Sequence, residues 1–269
     1  MWDVVSGRCV HSIEKAEGCD ATSFHPSGGF LATANLDHTI DVWDVSRWER
    51  VATLRGHASE VWAIRFSPDG TRLASGSMGG DVHLWDWPSG ECLQTFRGHG
   101  SYVRAVSFSP DGALLASSSY DSTIRLWDLA QPAEQASPVV TLPGPGEAAQ
   151  LYVAFSPDGS LLASAGADGT VCVWEVGEAL AGRPPLYVLA GHTGKAHCVS
   201  LRHDGRLLAS SGDDGTIRLW DVSDVRWGVA CVQVLQIELP YARLDIAGVT
   251  GLTPAQIAAL RALGAVENG

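Results

Sequence analysis

Positive charge is scarce in this chain of 269 residues, where 18 lysines and arginines face 30 aspartates and glutamates for a formal net charge of -12. Neutralising phosphates requires a basic face that this composition can hardly supply, which argues against a nucleic-acid binder and against docking on an anionic membrane. No apolar run approaches the ~18 residues of a membrane-spanning helix, and Met1 leads directly into Trp2-Asp3 with no signal peptide. A cytoplasmic protein is expected. The six cysteines, Cys9, Cys19, Cys92, Cys172, Cys198 and Cys231, never form a C-x-x-C pair, so no zinc ribbon or dithiol motif is written here. They are expected to be reduced and mostly buried. Phosphate-loop and G-x-S-x-G signatures are also missing.

What the chain does have is repetition. Trp2-Asp3, Trp43-Asp44, Trp85-Asp86, Trp127-Asp128, Trp174-Glu175 and Trp220-Asp221 each close a run of apolar alternation, and successive tryptophans lie 41, 42, 42, 47 and 46 residues apart. A period of this length marks a solenoid, propeller or array. Within each unit, short β-rich runs are separated by proline, aspartate and glycine. Ser67-Pro-Asp-Gly70 recurs at Ser109-Pro-Asp-Gly112 and Ser156-Pro-Asp-Gly159, with looser versions at His25-Pro-Ser-Gly28 and Arg202-His-Asp-Gly205. Proline presets the first turn dihedral and glycine takes the positive φ that ends the turn.

Each unit therefore reads as an inner strand, a middle strand, a third strand ending in Trp-Asp, and a fourth leading onward. The middle strands are expected near 31–34, 73–77, 114–119, 161–165 and 207–211. A four-stranded sheet cannot bury both faces alone, so neighbouring sheets must stack around an axis. The fold class is all-β, a β-propeller with five full four-stranded blades, an orphan N-terminal strand pair (Trp2-Asp3 and Arg8 to Ile13), and a short C-terminal helix.

The Gly-His pairs Gly56-His57, Gly98-His99 and Gly191-His192, with the Trp-Asp endings, resemble the WD40 repeat over roughly the first 235 residues. That resemblance implies a hydrogen-bonded set of His, strand Ser or Thr, turn Asp and Trp in each blade. The set is complete in His99, Ser117, Asp121, Trp127 and in His192, Ser210, Asp214, Trp220. The first blade keeps Thr33, Asp37 and Trp43 without a Gly-His pair. The second keeps His57, Ser75 and Trp85 but has Gly79 in the Asp position. The fourth keeps Ser164, Asp168 and Trp174, with Gly144-Pro145 in place of Gly-His. Blades with a broken set are expected to rely more on packing.

Because the orphan pair lacks inner and middle partners, residues 1–236 are expected to be an incomplete propeller, part of a larger ring or a truncated product. Residues 237–269 form a C-terminal extension with a helix at about 254–263, capped by Thr253 and Pro254. Gly248 to Ala265 resembles the ending of bacterial proteins of the NACHT/STAND type, which couple a nucleotide-switched module to WD40 or pentapeptide repeats. That resemblance implies a sensor role for the repeats.

Residues appearing once per blade at fixed spacing are structural rather than catalytic, so no catalytic residue, cofactor or metal ligand is expected. Three of the nine histidines belong to Gly-His pairs, and no two have ligand spacing on one element. A channel-based hydrolase or lyase remains the alternative reading, but no carboxylates or histidines beyond the repeat set converge to support it. The variable positions lie in the loops entering the inner strands and in the turns between middle and third strands, where rigid scaffolds carry recognition. Among them Trp62, Tyr102, Arg104, Tyr120, Met78, Glu60, Lys195 and His197 include the residue types favoured at binding hot spots. The expected function is a scaffold or signalling sensor that binds a protein or peptide through the propeller rim.

Overall fold

The computed structural model describes residues 1, 3, 5–13, 18–131, 137–226 and 228–236. Five antiparallel four-stranded sheets succeed one another along the chain. Blade 1 is β1 (Cys19–Phe24), β2 (Phe30–Asn35), β3 (Thr39–Asp44) and β4 (Glu49–Arg55). Blade 2 is β5 (Val61–Phe66), β6 (Arg72–Ser77), β7 (Val82–Asp86) and β8 (Cys92–Phe96). Blade 3 follows with β9 (Val103–Phe108), β10 (Leu114–Ser119), β11 (Thr123–Asp128) and β12 (Val140–Pro143). Blade 4 comprises β13 (Gln150–Phe155), β14 (Leu161–Gly166), β15 (Val171–Glu175) and β16 (Tyr187–Leu189). Blade 5 comprises β17 (Ala196–Leu201), β18 (Leu207–Gly212), β19 (Thr216–Asp221) and β20 (Ala230–Gln236).

The turn chemistry read from the sequence fixes the first hairpin of each blade. Ser67 Oγ donates to Asp69 Oδ1 at 2.6 Å, the Thr71 N–H reaches the same oxygen at 3.0 Å, and Gly70 has φ 74°. Ser109 with Asp111 and Ser156 with Asp158 repeat the arrangement at 2.5 and 2.6 Å. Hydrogen bonds from Ser67 and then from the Thr71 amide hold the Asp69 carboxyl down at about 2.

The hydrophobic core is divided among the junctions between blades. One cluster joins Ala32, Ile40, Val42 and Leu54 of blade 1 to Phe66, Leu73 and Trp85 of blade 2. Three further clusters repeat that contact, with Phe108, Leu115 and Trp127 against blade 2, Phe155, Leu162 and Trp174 against blade 3, and Leu208 and Trp220 against blade 4. Alternation along each strand thus gives every sheet two apolar faces, each requiring a neighbour.

Two readings need correction, on the N-terminal pair and on the cysteines, and one short helix adds to the expected elements. The segment from Arg8 to Ile13 is not a regular strand: Cys9 forms a single bridge, while the Asp3 N–H bonds to Arg8 O and the Val10 N–H to Met1 O, both at 2.9 Å. Two strands without a wider sheet are only marginally regular. A five-residue helix, α1 (Val176–Leu180), fills the longer connection after Trp174, its Val176 and Ala179 buried against the blade 3–4 core. Of the six cysteines, only Cys172 is buried and Cys198 is intermediate, while Cys9, Cys19, Cys92 and Cys231 are exposed. Cys92 and Cys231 stand on outermost strands, where the fourth position of the blade meets solvent. Trp2 and the helix expected at 254–263 lie outside the described residues.

Candidate functional site

In the complete blades the polar set is a relay. Trp127 Nε1–H donates to Ser117 Oγ at 2.9 Å, so the serine hydrogen turns to His99 Nε2 at 2.7 Å. His99 Nδ1–H is then free to donate to Asp121 Oδ2 at 2.8 Å. Trp220, Ser210, His192 and Asp214 repeat it at 2.9, 2.8 and 3.0 Å. Burial pushes the Asp121 carboxyl up, but donation from His99 and Thr123 outweighs this and holds it well below the usual carboxylate range. Burial is also the main reason His99 resists protonation. The set joins a loop, two strands and a turn of one blade, and its histidine and serine are shielded from solvent.

The broken sets are repaired differently. In blade 1, Trp43 Nε1–H still donates to Thr33 Oγ1 at 3.2 Å, and Asp37 accepts from the Thr39 amide at 3.1 Å. Buried Asp41 accepts from Asn35 at 3.2 Å and from Thr53 at 2.6 Å. In blade 4, Asp168 holds only its own turn through the Thr170 amide at 3.0 Å, and Ser164 donates to Gln150 Oε1 at 2.9 Å. The fully buried Gln150 takes over from the missing histidine, so this blade does not rely on packing alone. In blade 2, His57 Nε2 keeps Ser75 at 2.6 Å and Trp85 donates to the same oxygen at 2.8 Å, but His57 Nδ1 is buried without a partner. Its ring stacks on His83 with centroids 3.9 Å apart.

At the rim, one backbone bond recurs. The N–H of Met78 reaches Glu60 O at 2.9 Å, Tyr120 reaches Tyr102 O at 3.0 Å, Ala167 reaches Ala149 O at 2.9 Å and Asp213 reaches Lys195 O at 2.9 Å. Blades 2 to 5 thereby tie the loop entering the inner strand to the second turn through main-chain atoms, leaving the side chains there free to differ.

Four of the selected side chains meet where blades 2 and 3 adjoin. The rings of Trp62 and Tyr102 lie 5.4 Å apart edge to face, and Tyr102 lies 5.7 Å from Tyr120. Arg104 sits over Trp62, 5.4 Å from the ring centre, an arrangement that holds a guanidinium by its attraction to the π face. Trp62 and Arg104 line a cavity of about 280 Å³ at the channel, together with Asp20, Arg65, Tyr152 and His197. Glu60 and Met78 are half-buried on the same rim of blade 2. Exposed Lys195 and His197 belong to blade 5, where His197 Nε2 lies 2.5 Å from Asp213 Oδ1. Among the described residues, no group of three or more His, Cys, Asp or Glu is placed to hold a metal, and no helix is long and apolar enough to cross a membrane.

The pattern of the WD domain, G-beta repeat, family matches residues 7–44, 48–86, 90–128, 136–175 and 183–221, each match ending on one of the Trp-Asp or Trp-Glu pairs. The chain belongs to the WD40 family. WD40 repeat proteins generally act as scaffolds for protein interaction. This WD40 chain is similar to Pre-mRNA-processing factor 19 of Oryza sativa, 33% identical over 67 residues that cover 24% of the chain and 13% of the relative. It is similar to Mitochondrial division protein 1 of Kluyveromyces lactis, 36% identical over 59 residues covering 21% and 8%. Pre-mRNA-processing factor 19 homolog 2 of Arabidopsis thaliana is 34% identical over 67 residues, covering 24% and 13%. The matches thus span a small part of each relative's length.

Two features of these WD40 blades escaped sequence reasoning. Gln150 has no local signature as a histidine substitute, since it stands at the first position of an inner strand rather than after a glycine. Tyr152 occupies a register position held by Ala21, Ala63, Ala105 and Cys198 in the other blades, and its hydroxyl accepts from Arg65 Nη2 of blade 2 at 3.0 Å. Comparing inner strands position by position would have flagged this single large residue.

Proposed function

We propose that this chain is a non-enzymatic module that captures a protein or peptide across the rim between blades 2 and 3. The observation that carries the reading is the cluster of Trp62, Tyr102, Tyr120 and Arg104, a contiguous aromatic surface with a guanidinium laid on it. Aromatic rings offer contact area at low entropic cost, and Arg adds directional donors. The backbone bonds beneath them keep the loops in place before a ligand arrives, which reduces the ordering cost of binding. Met78, Glu60, Lys195 and His197 extend the contact around the rim. The module works as a cytoplasmic scaffold, or as the ligand sensor of a nucleotide-switched signalling protein of the kind that the C-terminal segment resembles.

The test is the double variant Tyr102→Ala with Arg104→Ala, immobilised beside the wild type and exposed to cell extract. Loss of a specifically retained protein at an unchanged melting curve supports the rim. Retention equal to wild type, or a collapse of the fold in the variant, refutes it.

A further inference from the structure

Each of the four junctions buries the same two half-faces. The earlier sheet contributes an Ala, an Ile or Val, and the outer-strand residue paired with it, as in Ala32, Ile40 and Leu54. The later sheet contributes a Phe or Leu, a Leu and a Trp, as in Phe66, Leu73 and Trp85. Both half-faces occur once more, and among the described residues no sheet covers them. Blade 1 presents Phe24, Leu31 and Trp43, and blade 5 presents Ala209, Ile217 and Leu235.

Exposure at equivalent register positions measures the difference. Phe66, Phe108 and Phe155 are 5%, 6% and 9% exposed, whereas Phe24 is 50% exposed. On the other side Leu54, Phe96, Leu142 and Leu189 are 5%, 1%, 1% and 7% exposed, whereas Leu235, paired with Ile217 in the same register, is 43% exposed. A polar feature agrees. Ser23 and Ser107 accept the backbone N–H of Phe66 and Phe155 from the following blade at 3.0 and 3.3 Å. Ser200 holds the same register position in blade 5 and is exposed. Next to Phe24, a cavity of about 360 Å³ lined by Leu31, Thr33, Ile13 and Trp48 stays open, although His11 stacks on Trp48 at 3.9 Å.

The geometry points to association between copies of this chain, with blade 5 of one copy packing on blade 1 of the next. The occupant of the blade 1 face must offer small and branched apolar residues at sheet spacing; a hydroxyl at the Phe24 amide would repeat what Ser23 and Ser107 do at two of the four junctions, Arg65 and Ala154 standing there at the others. Among the described residues the blade 5 face carries all of these, with Leu235 and Ser200 exposed and Ala209 and Ile217 half-buried. Its own complement is the Phe, Leu and Trp face of blade 1, where Phe24 is exposed, Trp43 half-buried and Leu31 buried beneath them. Two different patches meeting head to tail make a heterologous contact, which closes into a ring or runs on as a filament.

Light scattering coupled to size-exclusion chromatography tests this on the full chain, with Phe24→Arg and Leu235→Arg as variants. Both positions are exposed within one chain, so each variant should fold, as circular dichroism melting verifies. The wild type is expected to show masses above one chain that rise with concentration, and each variant alone to be monomeric. Mixing the two variants should restore a one-to-one pair and nothing larger, because each keeps one sound face. A monomeric wild type throughout the concentration series overturns the inference. So does a mixture that fails to associate, or a Leu235→Arg chain that melts well below wild type, which would place a segment of the same chain over that face.

Discussion

Blade 2 lacks one carboxylate, and restoring it is expected to stabilise the protein. His57 Nδ1 is buried without a partner, and leaving such a group unpaired costs about 1–3 kcal/mol. Gly79 stands where Asp121 and Asp214 stand in the complete blades, and a Cβ there would meet Ser59 Oγ at 3.0 Å, the atom that accepts the Gly79 N–H at 2.7 Å. Gly79→Asp alone should gain little, because blade 2 also has Asp81 where the other blades have Thr39, Thr123, Thr170 and Thr216. The new carboxylate would sit beside a like charge instead of a hydroxyl donor. Gly79→Asp with Asp81→Thr rebuilds the full set and gives up the 3.7 Å pair of Asp81 with exposed Arg97, worth roughly 0.5 kcal/mol or less, together with the attraction of Asp81 for a charged His83. The double variant should gain about 1–3 kcal/mol. At ~2–4 °C per kcal/mol, that raises the melting temperature by roughly 2–12 °C.

The same pair of changes should alter acid sensitivity. Burial, then the neighbouring His83, holds His57 down at about 3 against an ordinary value of 6.5. The folded state therefore refuses a proton that the unfolded chain accepts. The stability contribution is fully present above pH 6.5 and is lost as pH falls from there towards 3, with a slope near 1.4 kcal/mol per pH unit. A carboxylate at position 79 would favour the imidazolium and so end this loss at a higher pH, making its total smaller. Urea melts from neutral pH down towards pH 3, with Gly79→Ala plus Asp81→Thr as the control for backbone entropy, measure both effects. A double variant no more stable than this control, or one that loses stability over the same pH range as the control, refutes the reasoning.

Gln150→Ala should destabilise by about 1–3 kcal/mol, because Ser164 Oγ and Ala148 O lose their partner inside blade 4; calorimetry reads the loss directly. Tyr152→Phe removes the phenol that accepts from the exposed Arg65 and should change stability by roughly 0.5 kcal/mol or less. In thiol labelling of the native chain, Cys9, Cys19, Cys92 and Cys231 should react readily, since they are exposed. Burial pushes the Cys172 thiol up to about 12, so it should label only on unfolding.

Strand order and turn positions were legible because each rests on local chemistry repeated many times. The middle strand 114–119 coincides with β10, and the other four extend by at most a residue at either end. The rim residues were legible as positions that vary against a fixed frame, and four of them do converge. Less legible was whatever depends on a residue replacing a partner distant in sequence. Gln150 for a histidine and the Asn35–Asp41 pair in blade 1 are substitutions in space that leave no spacing signal. The stacking of His57 on His83 was hidden for a related reason, since the two share a face only once strand register is known.

Separation of frame from rim is tested most directly by ligand capture per folded molecule, compared between Ser117→Ala and the Tyr102→Ala, Arg104→Ala double variant. Ser117 Oγ serves both His99 and Trp127, so its loss should cost about 2–4 kcal/mol yet leave capture by the remaining folded chain intact. The rim variant should melt like wild type and capture nothing. Stability and capture falling together in both variants would contradict the account.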